Sequence, residues 1–208
     1  MRDARINNSK IIGRGAEAVI YFDESSGSVS KERLKKSYRI EEIDNKLRKL
    51  RTRSEARLME RASKIINTPK IISSSEKDKI ISMRYIRGKK LSDALNSLNN
   101  SPDVCRIIGE SVAKLHDANI IHGDLTTSNI ILRNGKVYFI DFGLSFYSEK
   151  IEDKAVDVHL FKQALEARHF NKYDTLLRNF LEGYKNSKNY DKVLQQLNKV
   201  EARGRYRH

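Results

Sequence analysis

Three oxygen-bearing side chains, Asp124, Asn129 and Asp141, stand in a pattern that suits nucleotide and metal chemistry. The first two lie in the polar loop from His122 to Asn129, and the third opens Asp141-Phe-Gly143. Mg²⁺ prefers such oxygens and keeps its other positions for water and phosphate. We therefore predict that Asn129 and Asp141 hold a metal ion, and that Asp124 orients or deprotonates a nucleophile. The competing interpretation is an ordinary hairpin whose aspartates cap turns.

Two apolar runs position these three side chains. Ile130–Leu132 and Val137–Ile140 flank Asn134-Gly135, a sequence typical of a type I′ turn between antiparallel strands. The polar loop precedes the first strand, and Asp141 follows the second. All three side chains are therefore expected at one end of a small hairpin, which favours a joint role over separate turn capping.

A glycine-rich turn is predicted near the start of the chain. Ile11 to Tyr21 has the pattern of strand, turn and strand, in which glycines let backbone N–H groups approach phosphates closely. A carboxylate is an unusual residue in an anion-binding turn, so an approach to metal, or an effect on the position of the turn, stays open for Glu17. The residues of this turn predicted to contact the nucleotide are Gly13, Gly15, Ala16 and Glu17.

A lysine on the third predicted strand is expected to bind the α and β phosphates. Lys31 is preferred because it shares a strand face with the apolar residue two positions earlier, whereas Lys35 and Lys36 are rivals nearer the following loop. A long helix is predicted over 38–66, and on it Glu55 is expected to pair with Lys31 and hold it extended. The alternative carboxylates on this helix are Glu41, Glu42 and Glu60.

The far end of the predicted nucleotide site lies after the fifth strand. Strands are predicted over 70–73 and 79–85. Backbone groups near Arg84 and Ile86 would bind adenine, and Met83 would line the pocket, although core packing explains Met83 equally well.

The order of these elements predicts an α+β, protein-kinase-like bilobal fold. A five-stranded small lobe is expected over 1–87, a reduced and mostly helical lobe over 88–202, and a basic mobile tail over 203–208. Helices of the second lobe are predicted over 91–98, from 101 to the predicted catalytic loop (the polar loop from His122 to Asn129), and over 153–170, 173–184 and 190–200.

Charge and cysteine content limit the classes of binding partner and the cellular compartment that are expected. The 208 residues include 41 basic and 27 acidic side chains, a net charge of +14, which favours nucleic acid, nucleotides or an acidic partner, or else a generally basic surface. Cys105 is the only cysteine, so no internal disulfide forms, and a reducing, cytoplasmic location is expected. No apolar run is long enough to predict a membrane span.

Seven segments of the chain resemble one family of proteins: Gly15–Ala18, Tyr38-Arg39, Arg51–Leu58, His122–Asn129, Ile140–Leu144, Glu152–Asp157 and Arg203–Tyr206. They are similar to the small atypical kinase of the KEOPS (EKC) complex, the Bud thirty-two family, called PRPK in animals. The resemblance implies a kinase-like fold, ATP with Mg²⁺, and support for threonylcarbamoyladenosine (t6A) formation on tRNA. It also implies contact with an ASKHA-fold threonylcarbamoyl transferase subunit, with a small helical Cgi-type subunit and, through the complex, with tRNA.

Sequence differences from ordinary kinases predict which acceptor receives the phosphoryl group. Gly123 replaces the arginine that receives an activation-loop phosphate, and Thr126 stands where serine/threonine kinases usually carry a phosphate-neutralising lysine. Both changes favour ATP hydrolysis and autophosphorylation over transfer to an unrelated peptide. Two alternatives stay open: an independent RIO-like serine/threonine kinase, and a tRNA-binding scaffold whose catalysis is dispensable.

Two further residues are expected to support the catalytic loop. His122 is predicted to pack beneath it rather than act as a base. Asp157, on a later helix, is expected either to accept hydrogen bonds from the loop backbone or to be an ordinary solvated residue.

Overall fold

The first part of the chain folds as an antiparallel sheet with one long helix. The computed structural model describes residues 9–205. Five strands lie side by side in the order β1-β2-β3-β5-β4, and each pairs with its neighbour in antiparallel register. The predicted α+β class and the five-stranded sheet are thereby confirmed. The strands are β1 (Lys10–Arg14), β2 (Ala18–Asp23), β3 (Ser28–Arg33), β4 (Ile71–Ser75) and β5 (Ile80–Arg84).

Helix α1 (Glu41–Ala62) connects β3 to β4 and is shorter than the predicted span of 38–66. It begins after Ile40, where Glu41, Glu42 and Asp44 place three carboxylates in the first turn. Negative charge at a helix N-terminus is favourable, because the unpaired N–H groups there carry partial positive charge. The helix therefore starts where the acidic residues start, three positions later than the apolar spacing alone predicted.

The second part of the chain is mainly helical, with a small sheet against the first part. Strand β6 pairs with β8 and β8 with β9, whereas β7 pairs with β10. Its elements are β6 (Lys89–Lys90), α2 (Leu91–Ala94), α3 (Ser101–Asp117), β7 (Ile120–Ile121), β8 (Ile130–Arg133), β9 (Lys136–Phe139), β10 (Phe146–Tyr147), α4 (Ile151–Arg168), α5 (Tyr173–Tyr184) and α6 (Tyr190–Arg205). The boundary predicted between residues 87 and 88 falls between β5 and β6.

The β8–β9 hairpin has the turn that its sequence predicted. Asn134 and Gly135 both adopt positive φ, at 48° and 73°, as a type I′ turn requires. The register pairs Ile130 with Phe139 and Arg133 with Lys136. This register places Asn129 and the residue after Ile140 at the same open end of the hairpin.

Close packing of α3 on α5 supports the catalytic loop from behind. A Cβ on Gly109 would overlap the backbone of Phe180, and a Cβ on Gly183 would overlap that of Arg106. Glycine at both positions lets the two helices approach closely, with Phe180 fully buried between them and α4. The end of α3 is thereby fixed where the chain enters β7 and the loop.

The last helix is longer than predicted. The sequence placed its end at Val200 and a mobile tail from Arg203, but α6 continues to Arg205. Arg203 lies on this helix and its Nη1 is 2.5 Å from Glu152 Oε1 on α4. Tyr206, Arg207 and His208 lie outside the described residues. Within residues 9–205, no helix combines the length and apolar character needed to cross a membrane.

Candidate active site

A cleft of about 340 Å³ lies between the two parts of the chain. One end is apolar and the other is lined by charged and amide groups, as an adenine nucleotide requires. The apolar lining includes Ile20, Val29, Met83, Ile86, Ile131 and Ile140. The polar lining includes Lys31, Glu55, Asn129 and Asp141.

Lys31 is the centre of the polar end. Its Nζ lies 2.6 Å from Glu55 Oε1 and 2.6 Å from Asp141 Oδ1. Burial alone would lower the pKa of Lys31, but Glu55 and then Asp141 raise it above the ordinary value, so the side chain is a cation. The structure thus brings together the lysine and the helix carboxylate that the sequence paired, and adds Asp141 to them.

The rival lysines and carboxylates lie elsewhere. Lys35 Nζ is 2.7 Å from Glu41 Oε1 in an exposed ion pair, and Lys36 donates to the carbonyl of Ala16. The remaining carboxylates of α1 that competed with Glu55 are exposed, whereas Glu55 is 2% exposed. Burial beneath β3 therefore separates Glu55 from its competitors.

Arg33 is a site residue that the sequence reasoning missed. It is buried, and its Nη2 lies 2.5 Å from Glu55 Oε2. Each oxygen of Glu55 therefore has its own cation, Lys31 on one side and Arg33 on the other. Because residues two apart on a strand share a face, the position of Arg33 relative to Lys31 was the available signal. The second cation holds Glu55 in place independently of Lys31.

The predicted metal-binding side chains present oxygens to the cleft. Asn129 donates from Nδ2 to the backbone oxygen of Asp124 at 3.0 Å and to its Oδ2 at 2.8 Å. These bonds fix the amide so that Asn129 Oδ1 is left as an acceptor. Asp141 Oδ1 accepts from Lys31 and from the N–H of Gly143 at 3.1 Å, which leaves Oδ2. One carboxylate and one amide oxygen fit Mg²⁺, which takes few protein ligands.

Asp141 is held in an unusual backbone conformation. Its φ is +62°, a region that non-glycine residues seldom occupy. Burial raises the pKa of the Asp141 carboxyl, but Lys31 outweighs this and holds the pKa below its ordinary value. A charged carboxylate on a constrained backbone is suited to hold a cation at a fixed place. Among residues 9–205 no group of three His, Cys, Asp or Glu side chains forms a conventional metal cluster.

The glycine-rich turn contributes less to the cleft than predicted. Gly13 lines it, but Gly15, Ala16 and Glu17 do not. Glu17 points instead to two arginines: its Oε2 is 2.8 Å from Arg51 Nη1, and its Oε1 is 3.3 Å from Arg39 Nη2. Burial raises the pKa of Glu17, but Arg51 and Arg39 together outweigh it and hold that pKa below its ordinary value. The ion pair with Arg51 links the turn to α1, and nucleotide contact by Glu17 stays a prediction.

The apolar end of the cleft contains the residues that the sequence predicted to contact adenine. Met83 and Ile86 are buried in its wall. The N–H of Arg84 is used by the carbonyl of Lys70 at 2.9 Å. Within the described part of the chain the N–H of Ile86 makes no hydrogen bond, so it is the donor that a purine can use. Adenine binding by these residues stays a prediction.

Asp157 joins α4 to the catalytic loop. Its Oδ2 accepts from the backbone N–H of His122 at 2.8 Å, and its Oδ1 accepts from that of Gly123 at 2.9 Å. Oδ2 also lies 3.2 Å from His116 Nε2, while His116 Nδ1 is 2.8 Å from the hydroxyl of Tyr184. Of the two interpretations, the loop-supporting one is therefore correct. Burial raises the pKa of Asp157, but the hydrogen bond and charge of His116 reverse the shift.

His122 has the structural place that was predicted for it. It is fully buried, and its ring lies 5.0 Å from that of Phe142. Its Nε2 is 3.2 Å from the carbonyl of Ile140, and its Nδ1 faces the N–H of Asp124 at 3.3 Å. The ring therefore connects the loop of Asp124 to Ile140, which lies between the end of β9 and Asp141.

Gly123 is required by the backbone rather than by chemistry. Its φ is +78°, and a Cβ there would overlap the carbonyl of Leu144. An arginine at this position cannot adopt the same loop, which gives a physical reason for the departure from ordinary kinases. The segment between Gly143 and α4 is short: it contains β10, which pairs with β7, and α4 begins at Ile151.

Comparisons with known proteins show the family to which the chain belongs. A RIO domain model matches residues 17–158. The KEOPS complex subunit Bud32 of Pyrococcus abyssi is 45% identical over 95% of this chain and 96% of that protein. A probable serine/threonine-protein kinase BUD32 homolog of Archaeoglobus fulgidus is 40% identical over 92% of this chain and 94% of that protein.

Two further similar proteins differ from this chain, one by its much greater length and the other by its low sequence identity. A probable bifunctional tRNA threonylcarbamoyladenosine biosynthesis protein of Methanothermobacter thermautotrophicus is 42% identical, and this chain spans 36% of its length. The Rio2 kinase of Chaetomium thermophilum, solved as an ADP/Mg²⁺-phosphoaspartate complex, has a TM-score of 0.65 at 17% identity, over 96% of this chain and 72% of that one. This likeness confirms the kinase-like fold. The chain belongs to the RIO-domain family of atypical kinases and, within it, to the family of Bud32.

Proposed function

We propose that this chain is the kinase-like, ATP-hydrolysing subunit of a KEOPS complex that supports t6A modification of tRNA in the cytoplasm. The observation that carries the proposal is the position of Lys31, 2.6 Å from both Glu55 and Asp141 in a cleft with an apolar end. This arrangement suits the phosphates, metal and base of ATP. The names and lengths of the Bud32 relatives support the wider role.

Each residue predicted to act on the phosphates or the metal has a proposed task, and so has Arg33. Lys31 binds the α and β phosphates, and Glu55 holds Lys31 extended while Arg33 keeps Glu55 in place. Asn129 Oδ1 and Asp141 Oδ2 hold Mg²⁺, which when bound neutralises the developing charge on the phosphates. Asp124 orients the attacking water or hydroxyl, and its carboxylate is positioned by Asn129.

The proposed acceptor of the phosphoryl group is water, or a serine of the chain itself. Only a short segment separates Gly143 from Ile151, and β10 pins it to β7. A long activation segment that binds a substrate peptide is therefore missing from this part of the chain. Gly123 and Thr126 leave no basic side chain in the loop to receive a regulatory phosphate or neutralise a transferring one.

A second function, an independent RIO-like serine/threonine kinase, is favoured by the domain match over residues 17–158 and by the kinase-named relative. The two are separated by their acceptors. ATP turnover is measured for the chain alone, with an ASKHA-fold transferase subunit and a Cgi-type subunit, and with a generic serine peptide. Turnover that rises with partners and leaves the peptide unlabelled supports the ATPase; rapid labelling of the peptide supports the independent kinase.

The scaffold alternative is tested in the assembled complex. Asp124→Asn is expected to abolish ATP turnover and t6A formation together. If the complex with Asp124→Asn still modifies tRNA at the normal rate, catalysis by this chain is dispensable, and the chain is a scaffold.

A further inference from the structure

A second groove, of about 520 Å³, lies between α1 and β10. None of its lining residues belongs to the proposed nucleotide cleft. It combines arginines with exposed aromatic rings, and the proposed ATP chemistry uses neither. The groove is lined by Leu50, Arg53, Ser54, Arg57, Leu58 and Arg61 of α1, and by Phe146 and Tyr147 of β10.

The cationic wall of the groove is a regular row. Arg53, Arg57 and Arg61 are four residues apart, so they project from one face of α1 at intervals of about 6 Å along its axis. Arg53 is 3.5 Å from Glu76, but within residues 9–205 Arg57 and Arg61 form no ion pair. Like charges at this spacing repel each other, so an anion bound between them is favoured.

The opposite wall is aromatic and exposed. Phe146 is 42% exposed and Tyr147 is 56% exposed. Their strand is held by its pairing with β7, and the Tyr147 hydroxyl accepts from Asn119 Nδ2 at 3.3 Å. The two rings are therefore exposed to solvent on a backbone that is held in place by strand pairing. They line the same groove as the arginines.

We propose that this groove binds single-stranded RNA, with the arginine row on the phosphates and the two rings stacked on bases. The combination of cations with aromatic faces is what sequence-tolerant single-strand binding requires. An acidic peptide would satisfy the arginines but leave the rings without partners, and a duplex keeps its bases stacked inside. The proposal rests on the proposed function, because it names where this chain touches the RNA substrate of its complex.

The test uses the full chain without nucleotide and a fluorescently labelled twelve-nucleotide oligouridylate. Fluorescence anisotropy gives the affinity at several salt concentrations. One variant, Arg57→Ala with Arg61→Ala, removes two cations of the row. A second, Phe146→Leu with Tyr147→Leu, keeps apolar bulk and removes the rings. The matched control, Lys114→Ala with Arg178→Ala, removes the same charge from exposed positions on α3 and α5.

The variants are expected to differ in RNA affinity and in the salt dependence of that affinity. Loss of two phosphate contacts should lower the affinity by about tenfold or more and reduce the slope of log affinity against log salt by about 1.4. Loss of the rings should lower the affinity about tenfold and leave that slope unchanged. The control should lose less than about threefold, because it alters only the general charge.

Three results would overturn the proposal: equal losses in the arginine variant and the control, equal affinity for a duplex of the same length, or an unchanged affinity in the aromatic variant. Displacement of the RNA by poly-glutamate at equal charge, together with an unchanged aromatic variant, would assign the groove to an acidic protein partner. Melting curves verify folding, and Tyr147→Leu alone replaces the double variant if that one unfolds. ATP turnover of the same samples distinguishes a failure of this groove from a failure of the proposed function.

Discussion

Replacement of Asp157 by asparagine is the most informative single test of the catalytic loop. The two side chains have nearly the same size, but the amide presents one oxygen where the carboxylate presents two. Asp157 is 1% exposed and accepts from the backbone N–H groups of His122 and Gly123. In Asp157→Asn the NH₂ group takes the place of Oδ2 and faces the N–H of His122, or takes the place of Oδ1 and faces the N–H of Gly123.

The magnitude follows from the contacts. A hydrogen bond to a charged group contributes about 1.5–3 kcal/mol, and a buried donor left unpaired costs a similar amount. Loss of one backbone bond and weakening of the others should therefore lower the free energy of unfolding by about 3–4 kcal/mol. For a chain of 208 residues, 1 kcal/mol shifts Tm by about 2–4 °C, so Tm should fall by about 10 °C.

The direction of the pKa shift of Asp157 determines how its contribution to stability depends on pH. The pKa of Asp157 in the folded protein lies below its ordinary value, because the contacts with His116 and the loop outweigh burial. The stabilisation is therefore complete above about pH 4, the unfolded pKa, and is lost as the pH falls through the lower folded pKa. Calorimetric melts of the wild type and Asp157→Asn should differ equally from pH 8 to pH 5 and converge in acid.

The matched control is Asp174→Asn, an exposed aspartate on α5, which should shift Tm by no more than about 2 °C. The reasoning would be refuted if Asp157→Asn had the same Tm as the control variant, or if its loss of Tm relative to the wild type were still undiminished at pH 3.

The remaining predictions concern the cleft and its surroundings. Lys31→Ala should lower ATP turnover by about a hundredfold, whereas Lys35→Ala, which loses only an exposed ion pair, should lower it less than about threefold; the reverse order in a steady-state assay would show that the strand register is wrong. Arg51→Glu should raise the KM for ATP by freeing the glycine-rich turn, and adding Glu17→Arg should recover part of the loss; a double variant worse than the sum of the singles would argue against the ion pair. Gly135→Ala should lower the free energy of unfolding by about 1–2 kcal/mol, which is the backbone strain of positive φ. Gly123→Ala should lower it by more, because the new Cβ would also overlap the carbonyl of Leu144. Equal losses in urea titrations would show that the contact with Leu144 has no effect on stability.

The sequence alone determined the features that depend on short-range spacing. The β8–β9 hairpin follows from two apolar runs around Asn134-Gly135, and this turn already places Asn129 and Asp141 at one end. Lys31 could be chosen because alternation along a strand decides which residues share a face. These relations hold within one element or one tight turn, so no knowledge of distant packing is needed.

Only the tertiary structure decided which elements meet. The sequence favoured Glu55 but left other carboxylates of the helix as alternatives, and the docking of α1 against β3 paired Glu55 with Lys31 and gave it Arg33 as a second cation. The same docking placed Glu17 2.8 Å from Arg51, a partner that the sequence had not indicated. Asp157 reaches the loop across 35 positions of sequence. Spacing fixes which residues lie on the same face of an element, but the partner of that face is set by the burial of apolar surface over the whole chain, and no local pattern records it.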